Sequence, residues 1–295
     1  MKRVQLLAAV SIAVGLVVLA LKYLAWYLTG SVALLSDAIE SIVNVATAIA
    51  ALVAIRFAAQ PADANHPYGH HKAEYVSAVV EGALIIVAAI AIFHEAWSAL
   101  FAPRITQAPW TGLAVNGVAT AINAAWCYVL ITQGRSRKSP ALVADGRHLF
   151  TDVVSSAGVF AGVSLAALTG YLILDPILAA LVGLNVLWAG WHVMKESVGG
   201  LLDEAVPEED LARIRAIIAE NADGAIEAHD LRTRHAGRMT FVDFHLVVKG
   251  SMSVTEAHDI CDRLERAIKT QVQDALISIH VEPDDKAKHA GIVVL

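Results

Sequence analysis

Six long apolar stretches, broken by short polar or glycine-marked connections, fill the first two thirds of the chain and predict membrane-spanning helices. They run from Val4 to Leu28, Val32 to Ile55, Tyr75 to Phe101, Trp110 to Thr132, Ala141 to Leu168 and Tyr171 to Met194. Each is near or above the roughly 20 residues that a helix needs to cross hydrocarbon. The opening Met-Lys-Arg and its apolar run have the shape of a signal peptide, but Lys22-Tyr23-Leu24-Ala25-Trp26 offers no small-residue cleavage site. The first run is therefore expected to stay as a helix.

After Leu201-Leu202-Asp203 the pattern changes to that of a small α+β domain, with the boundary at Val206-Pro207. Pro207 followed by Glu208, Glu209 and Asp210 predicts a helix start, proline in the first turn and acids at the positive end of the dipole, with the helix reaching about Asn221. Strands are expected near Ile226 to Arg234 and Met239 to Val248, joined by a turn at Ala236-Gly237. Ser253-Val254-Thr255-Glu256 fits a capping box that opens a second helix, whose apolar stripe is Val254, Ala257, Cys261, Leu264 and Ile268. A strand over Leu276 to Glu282 completes an αββαβ order. The chain thus reads as a six-helix membrane domain, 1–203, followed by an α+β domain, 204–295. So small a sheet leaves one face poorly covered, and dimerisation is expected.

Composition agrees with lipid as the solvent: 57% of the 295 residues are hydrophobic and only 17% charged, with mean hydropathy +0.57. The net charge of -6 comes without a basic stripe, which argues against a nucleic-acid partner. Lys2 and Arg3, Arg56 and Lys72, and Arg135, Arg137 and Lys138 mark one set of loops, while the loop from Pro103 to Pro109 carries only Arg104 and the turns at Thr29-Gly30 and Thr169-Gly170 are almost uncharged. Basic residues favour the cytoplasmic side. Both termini and the polar tail are expected there. Two cysteines, Cys127 and Cys261, are too few and too differently placed for a disulfide framework or a thiolate zinc site. Any metal site must therefore draw on His, Asp and Glu.

Charged groups inside the apolar segments cost roughly 2.5–3.5 kcal/mol each at the helix centre. Asp37, Glu40, Ser41 and Asn44 fall on one third of the second helix, and Asp145, His148 and Asp152 repeat their i, i+3, i+7 spacing on the fifth. If these stripes face each other, Glu40, Asn44, His148 and Asp152 supply four N/O ligands of the kind that suit a tetrahedral divalent ion. Ser41 and Asn44 also fit ordinary interhelical hydrogen bonding. Asp37 and Asp145, nearer one end, fit a water-filled vestibule, and Arg147 points away from the stripe.

The loop from Asp63 to Lys72 collects Asp63, His66, His70 and His71, a possible second metal site or a solvated histidine cluster. In the tail, alternation puts Val242, Phe244, Leu246 and Val248 on a core face and Asp243 and His245 on the other. The same rule turns Ile277, Ile279 and Val281 inward and Ser278, His280 and Glu282 outward. With His229 and His258, four histidines and a carboxylate converge on one face if they are not simply scattered over the surface.

Ser31-Val32-Ala33-Leu34-Leu35-Ser36-Asp37-Ala38-Ile39-Glu40-Ser41, then Asn65-His66-Pro67-Tyr68-Gly69-His70-His71-Lys72-Ala73-Glu74, then His148 with Asp152, resemble the signature segments of the cation diffusion facilitator family. Ala228-His229-Asp230-Leu231-Arg232-Thr233-Arg234 is similar to the cytoplasmic domain of its bacterial zinc/iron exporter branch. The likeness covers nearly the whole chain. It implies a six-helix transport domain, a ferredoxin-like cytoplasmic domain, a homodimer in the inner membrane and metal/proton antiport. By position it implies a transport site at Glu40, Asn44, His148 and Asp152 and a loop site at Asp63, His66 and His70. It also implies a cytoplasmic site at His229, His245, His258, His280 and Glu282 and a charge interlock of Lys72 with Asp203. Asn44 departs from the family pattern, in which both second-helix ligands are usually strong; an amide carries no negative charge.

An imidazole ligand favours zinc, iron, cobalt, nickel or cadmium over magnesium and calcium, with manganese still open. Alternating access around a midplane ion is the expected mechanism, and competition between metal and proton for His148 lets an inward proton gradient drive metal outward. An intramembrane metalloenzyme finds no HExxH motif or nucleophile here. The other alternative is a membrane-anchored metal sensor that reads the ion with its tail.

Overall fold

The computed structural model describes residues 2–29, 32–101, 110–169, 171, 173–289 and 292–293. The loop expected from Pro103 to Pro109 and the turn glycines Gly30 and Gly170 lie outside the described residues, as do the side chains of Asp37 and Glu40. The chain divides into two compact units, Met1–Val198 and Gly199–Leu295.

The first unit is built from α1 (Lys2–Thr29), α2 (Val32–Ala58), α3 (Ala73–Phe101), α4 (Trp110–Ser136), α5 (Pro140–Thr169) and α6 (Leu174–Leu201). Among the described residues, Lys2–Leu28, Ser41–Ala58, Ala73–Phe101, Ala114–Ser136 and Pro176–Leu201 are long and apolar enough to cross a membrane. The remaining helix, α5, carries Asp145, Arg147 and Asp152 within its first four turns. It packs against α2, α3 and α4, so its polar side is turned to protein. Large apolar side chains such as Leu16, Val53, Val87, Trp97, Leu184 and Trp191 are exposed, as lipid-facing positions require.

Among the described residues, two apolar clusters hold the bundle. One joins Val4 and Ala8 of α1, Leu52 and Ile55 of α2, Leu130 of α4 and Leu142 and Leu149 of α5. The other joins Ile85 and Ala89 of α3, Ala144 of α5 and Val186 and Val193 of α6. Lipid is as apolar as these side chains, so close packing rather than expulsion from water holds the helices together, and small residues let the backbones approach. At the α4–α5 contact a Cβ on Gly146 would lie 2.8 Å from Ile131 Cγ1 and 3.0 Å from the Ile131 backbone nitrogen. Only a glycine fits there, two residues before His148.

The second unit contains α7 (Glu208–Asn221), β1 (Glu227–Ala236), β2 (Met239–Val248), α8 (Val254–Gln271), β3 (Ala275–Pro283), a 3-10 turn over Asp284–Lys286 and β4 (Ile292–Val293). The strand order is β3-β2-β1-β4, with β2 and β3 parallel and the other two pairings antiparallel. The expected αββαβ order is there, and β4 adds a fourth strand that two residues give no periodicity to foresee. Gly237, at φ +56, makes the predicted turn between β1 and β2. Ser253 and Glu256 form the reciprocal capping box of α8. Ile214, Ile217 and Ile218 of α7, and Leu264 and Ile268 of α8, bury against Val242, Phe244 and Leu246 of β2. Ile277 and Ile279 join this core, whereas Val281 is exposed near the end of the edge strand.

Gly146→Ala is expected to push α4 from α5 and destabilise the detergent-solubilised protein by about 1–3 kcal/mol, the usual cost of overpacking. Thermal unfolding monitored by intrinsic tryptophan fluorescence measures the loss; an unchanged midpoint would mean that the two helices are not in tight contact.

Candidate metal centres

Among the described residues, three groups of side chains with metal-ligating chemistry come together, two of them in the membrane unit. Between α2 and α5, His148 Nε2 lies 2.9 Å from Asn44 Oδ1, and Asn44 Nδ2 donates to the Asp152 carboxylate. All three side chains are buried. With the proton on Nε2 the imidazole donates to the amide oxygen, and the amide passes its own donor to the carboxylate. Without that proton, Nε2 has a lone pair of the kind that binds metal ions, so a proton and a metal would compete for one atom. Glu40 stands one turn before Asn44 on α2. Asn44 thus joins His148 and Asp152, three of the four residues expected to form the transport site.

Asp145 departs from the vestibule expectation. It is only 1% exposed and accepts a hydrogen bond from Ser11 Oγ at 2.7 Å, which ties α5 to α1. Arg147 does point away, to Glu196 of α6 at 2.7 Å. Glu81 of α3 is a buried acid that the sequence reading passed over, held by Ser77 Oγ at 3.3 Å. Its single position in an apolar run was the available signal.

In the loop between α2 and α3, Asp63, His66 and His70 gather so that one ligand atom from each lies within 4.8 Å of the others. Asp63 Oδ1 accepts from the His66 and Asn65 backbone N–H groups at 2.7 and 2.9 Å. The His66 N–H bond leads in holding this carboxyl below its ordinary value, against the opposing effect of burial, with the Asn65 N–H and the His66 ring adding to it. His70 Nε2 lies 3.3 Å from Asp63 Oδ2 and 3.0 Å from His66 Nδ1. Phe57 packs edge-on against the buried His70 ring, and Gly69 turns the chain at φ +82 between them. The imidazole is thereby fixed while Asp63 and His66 remain open to solvent.

In the second unit the strand register aligns His229 with His245 and His245 with His280, a row of three imidazoles across three strands. Ring centroids are 5.3 and 5.0 Å apart along it. His229 Nε2 and His245 Nδ1 lie 3.2 and 3.3 Å from the two oxygens of Glu282. Neither nitrogen has the alignment of a hydrogen bond, and both are buried without a partner. Two imidazoles and a carboxylate facing one point without bonding to each other fit a cation between them. His258 is not brought to this row: it is exposed on α8, which covers the opposite face of the sheet, beside Asp262 at 3.6 Å.

Asp230 joins His229 and His245 instead, one ligand atom from each within 4.8 Å. Strand alternation would turn it to the other face. A register shift between His229 and Arg232, with Asp230 at φ +52, rotates it back, and no sequence rule marks that bulge. Glu227 was missed as well. It is buried, and its Oε1 accepts from His229 Nδ1 at 3.0 Å, the carboxylate–histidine arrangement that orients metal ligands. Burial pushes its carboxyl up, but bonds from the His289 N–H and the His229 ring outweigh this and hold it below its ordinary value. Asp203 accepts from Arg234 Nη1 at 2.9 Å, while the Lys72 carbonyl accepts from the Tyr75 N–H as α3 begins.

These features define a helical membrane protein with metal-ligating groups in its bundle, in a loop and in an α/β domain. Two family models match: a cation efflux transmembrane domain over residues 8–202 and a cation efflux protein cytoplasmic domain over residues 206–284. A transporter of Synechocystis sp., sll1263, is 42% identical over 95% of this chain and 91% of its own length. The cation-efflux pump FieF of Pectobacterium atrosepticum is 32% identical over 95% and 93%. A solved structure of CzrB in its zinc form is 48% identical and covers 29% of this chain and 98% of its own, with a TM-score of 0.28. The chain belongs to the cation diffusion facilitator family, whose members are membrane transporters.

A depressed carboxyl stabilises the fold above its unfolded value and ceases to as pH falls through the folded one. The Asp63 turn is therefore expected to persist at neutral pH and to loosen only below about pH 4. Amide exchange at Asn65 and His66 should quicken in Asp63→Asn at neutral pH; equal exchange in variant and wild type would mean that the carboxylate does not hold the loop.

Proposed function

We propose that the chain exports divalent transition-metal ions, zinc foremost, from the cytoplasm in exchange for protons, as a homodimer in the inner membrane with both termini cytoplasmic. The observation that carries this reading is the contact of Asn44, His148 and Asp152 between α2 and α5. It puts one titratable nitrogen, one carboxylate and one amide oxygen at a single buried point of an apolar bundle. With Glu40 one turn away, the set offers four N/O ligands. Other first-row divalent ions and cadmium are accepted according to how well they tolerate a neutral amide ligand.

Transport follows from the chemistry of His148 Nε2. Facing the cytoplasm the atom is deprotonated and binds metal; facing the more acidic side it takes a proton and releases the ion. Each half of the cycle neutralises the buried carboxylate of Asp152, first with metal and then with an imidazolium. The bundle therefore never carries that charge uncompensated. Asp63, His66 and His70 hold a second ion at the loop. His229, His245, Glu282 and Asp230 hold a third in the α/β domain, with Glu227 orienting His229, and an ion there would draw β1, β2 and β3 together. Arg234 holds the Asp203 carboxylate within the second unit. Dimerisation covers the open face of the small sheet.

Reconstituted proteoliposomes carrying a zinc-sensitive dye test the reading. Zinc flux should rise when an opposing proton gradient is imposed and fall at least tenfold in Asp152→Asn, since loss of a charged ligand typically costs a few kcal/mol. Asn44→Asp should widen or shift the order of preference among zinc, iron(II), manganese and cadmium. Flux indifferent to both the gradient and Asp152 would remove the antiport reading.

A further inference from the structure

The last described stretch of the chain crosses from one edge of the sheet to the other. It leaves β3 at Pro283, makes the 3-10 turn over Asp284–Lys286, and ends as β4 against Glu227 and Ala228 of β1. Four contacts secure it. The Gly250 N–H donates to Asp284 Oδ1 at 2.9 Å, and the His289 N–H donates to Glu227 Oε2 at 2.9 Å. Lys288 Nζ donates to Asp230 Oδ2 at 2.6 Å, and β4 pairs with the start of β1.

Two of these contacts fall on carboxylates of the histidine cluster. Asp230 is grouped with His229 and His245 as a ligand set, yet its carboxylate is held by Lys288. The ammonium is the largest influence keeping the Asp230 carboxyl below its ordinary value, ahead of the charges of His229 and His245. Glu227 divides its two oxygens between the His229 ring and the His289 amide. The chain's own tail thus supplies a cation to the centre where an external cation would bind.

We propose that this C-terminal segment is a tethered competitor for the cytoplasmic metal centre: Lys288 occupies the Asp230 carboxylate, and a divalent ion bound by His229, His245 and Asp230 displaces it and loosens the segment from β1. The inference rests on reading the histidine cluster as a metal site. The exchange is favourable because a divalent ion gains two imidazole ligands along with the carboxylate, whereas the ammonium gains one partly solvated ion pair. Lys288 is 49% exposed and Asp230 35%, a setting in which such pairs contribute little. Once Lys288 is released, Glu227 and a two-residue pairing remain to hold β4. The segment thereby converts metal occupancy into a free or docked chain end.

Hydrogen–deuterium exchange of the full-length protein in nanodiscs, titrated with zinc, reads both events in one experiment. Zinc should slow exchange in β1 and β2 around His229 and His245, and at the same concentrations speed exchange over residues 286–289. Lys288→Ala should give fast exchange over that stretch with or without zinc, and should bring on the slowing in β1 and β2 at about two- to fivefold lower zinc, the worth of an exposed ion pair. In Asp230→Asn zinc should no longer mobilise the segment. If zinc slows β1 and β2 but leaves residues 286–289 unchanged or slower, the competition is overturned while the metal site stands. If zinc alters neither, the metal site itself is refuted, and this inference with it.

Discussion

A carboxylate and an imidazole inside an apolar helix bundle must be given polar partners, since an ionised side chain costs roughly 2.5–3.5 kcal/mol at the helix centre. Asn44 makes that possible here, since one amide accepts from His148 and donates to Asp152, and so joins two helices through a single side chain. The rest of the membrane unit accommodates this contact. α5 carries the charges and is enclosed by α2, α3 and α4. Gly146 lets α4 close on it, Ser11 of α1 satisfies Asp145, and Arg147 is turned outward to Glu196. Each partner removes a polar group from lipid that would otherwise cost several kcal/mol.

The cytoplasmic unit answers the opposite problem. Its helices cover one face of the sheet and create an ordinary apolar core, while strand register alone assembles the histidine row on the other. Because His229, His245 and His280 face one another across adjacent strands, a shift of one residue in either pairing would scatter them. The two groups differ in their surroundings. The group in the bundle is enclosed by helices, whereas the row on the sheet runs from the buried His229 to the exposed His280 at the edge strand.

The membrane helices, the matching stripes on α2 and α5, the capping box at Ser253 and the alternation in β2 were all legible in the sequence, because each follows from a single period or a local motif. What the sequence hid depended on events with no period. The bulge that turns Asp230 toward the histidines, the return of the chain as β4, and the placement of His258 on the far side of the sheet all required the tertiary arrangement. Asp145 looked like a vestibule residue because its partner, Ser11, lies on another helix and carries no charge to signal the pairing.

The central claim is that one metal ion binds between α2 and α5 through Asn44, His148 and Asp152. Zinc X-ray absorption on the full-length protein, with the other two centres removed by Asp63→Ala, His66→Ala, His229→Ala and His245→Ala, tests it most directly. One zinc per chain in an all-nitrogen/oxygen shell that includes imidazole, lost on adding Asp152→Ala, is the predicted result. A zinc ion retained in the absence of Asp152, or no bound zinc in the protein that keeps it, would contradict the claim.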